Sequence, residues 1–182
     1  MKRRIIFLIL TIAWMIIIFS FSAKPADESE DMSLSVGYTI GKIFVPEFDS
    51  WSPEEQQAFA EQIDYPVRKC AHATEYAILG ILLSGTVVGQ RSGDSGERTV
   101  IRKDQNHPRF FQFLFCFVIG AAYAASDEFH QLFVPGRAGQ VKDVLIDSGG
   151  VMLGLLAACL MMIFWRRMKV RMNPRGNLPF EA

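Results

Sequence analysis

The sequence predicts an all-α, polytopic integral membrane protein: four transmembrane helices with an extracytoplasmic amphipathic helical insertion between the first two. Two observations carry this expectation. Apolar residues are clumped into four stretches rather than spread along the chain, and basic residues gather in alternate connections between them. A bilayer core about 30 Å thick needs roughly 20 helical residues, and each stretch reaches that length by borrowing a turn of polar residues. The predicted spans are residues 5–23, 66–88, 110–133 and 143–165, within a single domain covering residues 1–182.

Orientation follows from the basic residues, which collect in short cytoplasmic connections. Lys2, Arg3 and Arg4 precede the first span, Arg91, Arg98, Arg102, Lys103 and Arg109 fall in the 89–109 loop, and Arg166, Arg167, Lys169, Arg171 and Arg175 fall in the 166–182 tail. Only Asp94, Glu97, Asp104 and Glu181 are acidic on that side. A multi-pass plasma-membrane protein with both termini cytoplasmic is therefore expected. The first span has a rival reading as a secretory leader ending near Ser20-Phe21-Ser22. Its apolar run is longer than the roughly 7–15 residues usual for such segments, which favours a retained anchor.

The insertion, residues 24–65, is too long to be a bare connection. Met32, Val36, Ile40 and Ile43 or Phe44 recur at helical spacing, behind Asp27, Glu28, Glu30 and Asp31, which suit a helix N-terminus. A second helix is predicted from Ser52-Pro53-Glu54-Glu55, a capping box, with Phe59 and Ile63 on one face. It is expected to stop near Asp64, because Pro66 disfavours a helical conformation at Tyr65. These helices are expected to lie on the outer leaflet or to cover the bundle. The 89–109 loop and the tail read as solvated and basic, with no further helix after Arg166, and His107 has no assigned role. Cys70, Cys116 and Cys159 show no disulfide or metal spacing and read as small hydrophobes in packed helices. No repeat, phosphate loop or nucleic-acid module is present, so the expected partner is the lipid bilayer.

Polar residues concentrate at the outer ends of spans two to four. At roughly 100° per residue, Arg68, His72 and Glu75 form a stripe, preceded by Lys69 and followed by Tyr76. Asp127, His130 and Gln131 share a face at the end of the third span, with Tyr123 one turn below and Glu128 turned away. Asp143 and Asp147 open the fourth span, and their face continues as Gly150 and Gly154, a spacing that lets helices approach closely. Ionisable groups are costly in lipid, about 2.5–3.5 kcal/mol each at a helix centre, so they should face one another. One outward-opening polar pocket is expected, roofed by the 134–142 turn with Arg137 over its mouth.

The segments RKCAHATEY, SDEFHQLFVPGR and DVLIDSGGVMLG closely resemble the VanZ-like family of bacterial membrane proteins, named for an accessory protein of glycopeptide-resistance clusters. The resemblance spans residues 66–165. It implies a cell-envelope role linked to teicoplanin susceptibility, and it points to Arg68, Lys69, His72, Glu75, Tyr76, Ser126, Asp127, Glu128, His130, Gln131, Pro135, Gly136, Arg137, Asp143, Asp147 and Gly150. Gln140 stands where a small hydroxyl residue is expected, and Asp147 where an amide is common. The resemblance supplies no reaction.

Three roles for the pocket stay open from the sequence. It is a structural clasp of ion pairs fixing helix register. Alternatively, Arg68 and Arg137 bind an anionic envelope lipid or lipid-linked cell-wall precursor. In the third reading His72, Glu75, Asp127, His130, Asp143 and Asp147 supply ligands for Zn²⁺ or Mn²⁺, or His130 acts as a base oriented by Asp127 or Glu128, in a lipid-headgroup hydrolase or transferase. No HExxH signature accompanies the metal reading.

Overall fold

The computed structural model describes residues 2–88 and 108–172, in which all regular structure is helical. The helices are α1 (Lys2–Ser22), α2 (Ala26–Phe44), α3 (Pro53–Val88), α4 (Pro108–Gln131) and α5 (Val141–Met172), with a 3₁₀ turn at Phe48–Ser50. Among the described residues three stretches are long and apolar enough to cross a membrane: Lys2–Ser22, Phe110–Gln131 and Val141–Trp165. The expected second span, residues 66–88, is helical but is not among them.

The position of α3 accounts for its weaker hydropathy. It packs against α1, α2, α4 and α5, and its Tyr76, Leu79 and Leu83 are buried in the main core with Ile18, Cys116, Ala124, Val151 and Leu155. A helix surrounded by protein has no need of an all-round apolar surface. The outer helices show the opposite arrangement. Ile9, Ile12 and Ile16 of α1, Phe111, Phe115 and Val118 of α4, and Leu153, Leu160 and Phe164 of α5 face outward, while Asp127 and Asp147 lie inside. Apolar outside and carboxylate inside is the partition that lipid surroundings favour.

Contacts along the bundle fix the direction of each helix. Phe7 covers Gly85, the Trp14 indole N–H donates to the Glu75 carbonyl at 2.9 Å, and the Tyr123 hydroxyl donates to the Met15 carbonyl at 2.6 Å. Ser22 reaches Asp127 at the other end. The start of α1, the end of α3 and the start of α4 thus share one end of the bundle. The end of α1, the middle of α3, the end of α4 and the start of α5 share the other.

Glycines let α3 and α5 meet backbone to backbone. A Cβ at Gly150 would collide with the Ala73 carbonyl oxygen, one at Gly154 with that of Ala77, and one at Gly80 with that of Val151. The expected close approach of Gly150 and Gly154 is therefore made within one chain.

Several expectations are corrected. Helix α3 does not stop near Asp64 but runs through Pro66. Proline removes one intrahelical hydrogen bond, and here side-chain bonds brace the same turn: Asp64 pairs with Arg68 one turn on and accepts a hydrogen bond from Ser33 of α2. Helix α5 continues past Arg166 to Met172, since Lys and Arg are good helix formers and complement a helix C-terminus. Helix α4 ends at Gln131, two residues before the end expected for the third span, in a series of i to i+3 bonds. Cys70 is exposed, unlike buried Cys116 and partly buried Cys159, and all three are free. Residues 89–107 and 173–182 lie outside the described residues, and with them His107 and most of the expected basic loop.

Helix α2 buries a different face from the one its sequence pattern suggests. Ser33, Gly37 and Gly41 are buried, a Cβ at Gly37 would sit 3.1 Å from Ala60, and Gly41 lies under the Phe48 ring. Met32, Val36, Ile43 and Phe44 face outward. The small residues win because they allow α2 to lie close against the first half of α3. Replacing Asp64 with alanine should loosen this hairpin, because Arg68 loses its ion pair and the Ser33 hydroxyl, which also reaches the Ser29 and Glu30 carbonyls of its own helix, loses its bond to α3. A loss of about 2 kcal/mol is expected, read as a lower melting temperature and faster amide exchange across α2.

Candidate functional site

The polar end of the bundle is built on Asp127. Its side chain is buried; Oδ2 accepts hydrogen bonds from the Ser22 hydroxyl at 2.6 Å and the Tyr76 hydroxyl at 3.3 Å. One carboxylate oxygen thereby joins α1, α3 and α4. The other, Oδ1, is buried without a partner.

Asp143 repeats the pattern on α5. Its Oδ2 pairs with the Lys69 ammonium at 2.6 Å, and its Oδ1 is buried and unpartnered. Asp147, one turn further in, is 1 % exposed with Oδ2 unpartnered, and it feels the charges of Glu128, Asp127, Asp143 and Lys69. His72 feels Arg137, Asp127, Lys69 and Asp143. Glu75 feels Asp127. Buried atoms without partners also include Nδ1 of His72, Nδ1 of His130 and Nε2 of Gln131. Buried polar atoms are nearly always hydrogen-bonded; six without a partner among the described residues lie at this one end of the bundle.

The roof is the turn between α4 and α5. Gly136 takes a positive φ of 73°, a conformation glycine adopts without Cβ strain, and packs on Ala26. The Ala26 N–H donates to the Pro135 carbonyl at 3.1 Å, tying the turn to the α1–α2 junction. Arg137 donates through Nε to the Lys24 carbonyl at 3.3 Å and forms no salt bridge among the described residues. Burial, and then the nearby Arg68 charge, lower its guanidinium from the ordinary value; an arginine remains cationic under such shifts.

The structure thus gathers Lys69, His72, Glu75, Tyr76, Asp127, Glu128, Gln131, Arg137, Asp143 and Asp147 at one end. Glu128, off the face shared by Asp127, His130 and Gln131, still lies inside. It is buried and accepts the Gln140 N–H at 3.0 Å, holding the returning chain. The Gln140 carbonyl caps α5 by accepting from the Asp143 and Val144 N–H groups, so this position acts through its backbone and tolerates the departure in side chain. Arg68 is engaged by Asp64 on the insertion side. Tyr123 braces α1 through Met15 and sits with its ring 6.1 Å from that of Tyr76. The His130 ring lies 4.4 Å from that of Phe19, centroid to centroid. Ser126 faces outward.

Helix α1 was not expected to contribute, since the pocket was assigned to spans two to four. Ser22 and Phe19 complete it. The sequence signal was present in Ser20 and Ser22 at the end of the first apolar run, which entered the sequence reading only through the rival leader motif. Among the described residues no three His, Cys, Asp or Glu side chains are arranged to hold a metal ion, so the Zn²⁺ or Mn²⁺ expectation finds no ready ligand set. A concavity of about 420 Å³ runs along α2 beside Asp31, Tyr38 and Lys42, and one of about 580 Å³ lies between Val87 and Phe111–Val118. Neither includes the carboxylates.

A family model described as VanZ/LLP1 matches residues 7–164, most of the chain. This chain belongs to the VanZ/LLP1 family. No curated protein and no solved structure matches it. The match extends the earlier resemblance upstream, through α1 and the insertion as well as the three motifs. For this VanZ/LLP1 chain the polar cluster, its Arg137 roof and the α2–α3 hairpin therefore fall within the family's own extent.

Proposed function

We propose that this VanZ/LLP1 chain is a four-span plasma-membrane protein whose outer polar cluster holds the headgroup of an anionic envelope lipid or lipid-linked cell-wall precursor. Helix α3 from Pro66 is the second span, the α2–α3 hairpin is extracytoplasmic, and both termini are cytoplasmic. The apolar face of α2 rests on the outer leaflet. Holding such a lipid alters how a lipoglycopeptide such as teicoplanin meets its target, which fits the family's glycopeptide context.

One observation carries this reading over a structural clasp. Asp127 and Asp143 each spend one carboxylate oxygen on a protein partner and leave the other buried and open. Left unpaired, such acceptors cost about 1–3 kcal/mol each, which a clasp does not recover; hydroxyl or amine donors of a headgroup satisfy them, and its phosphate does not. Arg137, a partly buried cation with no salt-bridge partner among the described residues, supplies the phosphate contact.

The test is the lipid content of protein purified in mild detergent. Wild type should retain a phosphate-bearing lipid, and Arg137→Ala should lose most of it while melting near the wild-type temperature. In cells Arg137→Ala and His72→Ala should share a shifted teicoplanin susceptibility. Wild type free of lipid, or variants that lose lipid only by unfolding, would return the cluster to a structural role. Topology is checked separately: Asp49→Cys in a cysteine-free background should react with an impermeant maleimide on intact cells.

A further inference from the structure

We infer that the headgroup enters sideways from the bilayer, through the seam between α1 and α4, and that the contact of residues 24–26 with residues 135–137 is the latch of that seam. This rests on the headgroup reading above and supplies its entry path.

The cluster is shut. Asp127, Glu128, Gln131, Asp143 and Asp147 are all buried, so a headgroup reaches them only if two elements part. The joints around the cluster differ in strength. Helices α3 and α5 meet backbone to backbone at Gly80, Gly150 and Gly154, and α2 lies closely on α3 at Gly37; close-packed joints of this kind part only with the core. Helix α1 is attached along one narrow edge. Its buried residues are Thr11, Ile18 and Ser22, a single stripe at helical spacing, while Ile9, Ile12, Ile16 and Phe19 are exposed. Phe7 and Trp14 fasten its first half to α3. Towards the polar end of α4 it is held by side chains alone, the Phe19 ring against that of His130 and the Ser22 hydroxyl on Asp127. Past the helix ends two hydrogen bonds close the same seam: Ala26 N–H to the Pro135 carbonyl and Arg137 Nε to the Lys24 carbonyl. Asp127 Oδ1 and His130 Nδ1, both buried without a partner, belong to the two α4 side chains that α1 covers. Arg137 provides the bias towards opening. Its present acceptor is a neutral carbonyl at 3.3 Å, whereas a phosphate offers opposite charge and two parallel bonds. A ligand shifts such an equilibrium by binding one state better, and a phosphate taking Arg137 from Lys24 is that difference.

The experiment locks the latch. Full-length protein with Cys70, Cys116 and Cys159 replaced by alanine carries Ala26→Cys and Gly136→Cys, since a Cβ at Gly136 would lie 2.8 Å from that of Ala26, close enough for a disulfide after a small adjustment. Stripped of lipid by detergent washing, it is offered phosphatidylglycerol in mixed micelles, and binding is read by native mass spectrometry. The oxidised protein should bind at least about tenfold more weakly than the same protein reduced, because apparent affinity falls with the share of molecules able to open. A control disulfide, Gly37→Cys with Ala60→Cys, pins α2 to α3 away from the seam, where the Cβ atoms would lie 3.1 Å apart, and should leave binding unchanged. Equal binding by the oxidised and reduced latch pair overturns the seam and leaves the headgroup reading standing. An equal loss in the control pair does the same. Absence of binding in wild-type protein overturns both. Wild type also gives a check that needs no variant to fold: amide exchange at Ala26 should quicken when phosphatidylglycerol is added, and unchanged or slower exchange there contradicts a latch that lipid holds open.

Discussion

Gly154→Leu should abolish the folded bundle, giving protein that aggregates on extraction from the membrane, and even Gly154→Ala should lower stability substantially. A Cβ at this position enters the space of the Ala77 carbonyl oxygen, and backbone cannot move aside as a flexible side chain does. Relief requires α5 to separate from α3, the pair on which the core residues Tyr76, Leu79, Val151 and Leu155 converge. Overpacking of a tight contact costs about 1–3 kcal/mol for small increments, and a leucine lies well beyond that range. Gly149 is the internal control. Nothing lies within 4 Å of a Cβ there, so Gly149→Ala should be neutral or stabilise by up to about 1 kcal/mol through helix propensity. Thermal unfolding followed by size-exclusion chromatography separates the two outcomes. A Gly154→Ala protein as stable as Gly149→Ala would contradict the helix crossing described here.

The second large effect is expected at Asp127. Asp127→Ala removes the acceptor of the buried Ser22 hydroxyl and of the Tyr76 hydroxyl, and with it the bonds that tie α1 and α3 to α4 at the polar end. Leaving two donors unsatisfied should cost about 3 kcal/mol. Asp127→Asn is a different case. The amide keeps an acceptor for Ser22 and removes one negative charge from a cluster that has a surplus, so its loss should stay below about 1 kcal/mol. The decisive measurement is a double-mutant cycle between Ser22→Ala and Asp127→Ala, with an expected coupling of about 1–2 kcal/mol. Additive losses would mean that the two side chains do not meet, and the attachment of α1 to the polar end would need another explanation.

Much of the cluster was legible because helical periodicity and membrane depth act together. His72 and Glu75 on one stripe, Asp127 and Gln131 on one face, and Asp143 and Asp147 one turn apart each follow from 3.6 residues per turn, and the cost of placing them in lipid directs all three faces inward. The helix carrying Gly150 and Gly154 was readable for the same reason. What periodicity does not encode is partner choice. Arg68 has the charge to serve the cluster but is taken by Asp64, a carboxylate one turn away that also holds Ser33. Ser22 carries no charge and stands at the end of an apolar run, so nothing local marks it as a partner of Asp127.

Helix α2 shows the same limit from the side of packing. Its apolar residues recur at helical spacing, yet the face turned to α3 is Ser33, Gly37 and Gly41. An apolar stripe identifies the face that avoids water, and beside a bilayer that face need not be the one that meets protein. Helix α3 extends the point: by length and composition it is not among the stretches apolar enough to cross a membrane, yet four other helices pack around it, and periodicity does not show which ones.

By itself, then, the amino-acid sequence determined that this chain is helical, rich in membrane-compatible segments, and polar at one end of three of them. Those features arise from short-range geometry and from the free energy of transferring side chains between water and lipid. Tertiary structure alone decided which carboxylate oxygens are used and which have no partner among the described residues, that α1 closes the site, and that Arg137 forms no salt bridge among those residues. Each depends on groups far apart along the chain meeting within hydrogen-bond distance, and that proximity exists only once the helices have packed.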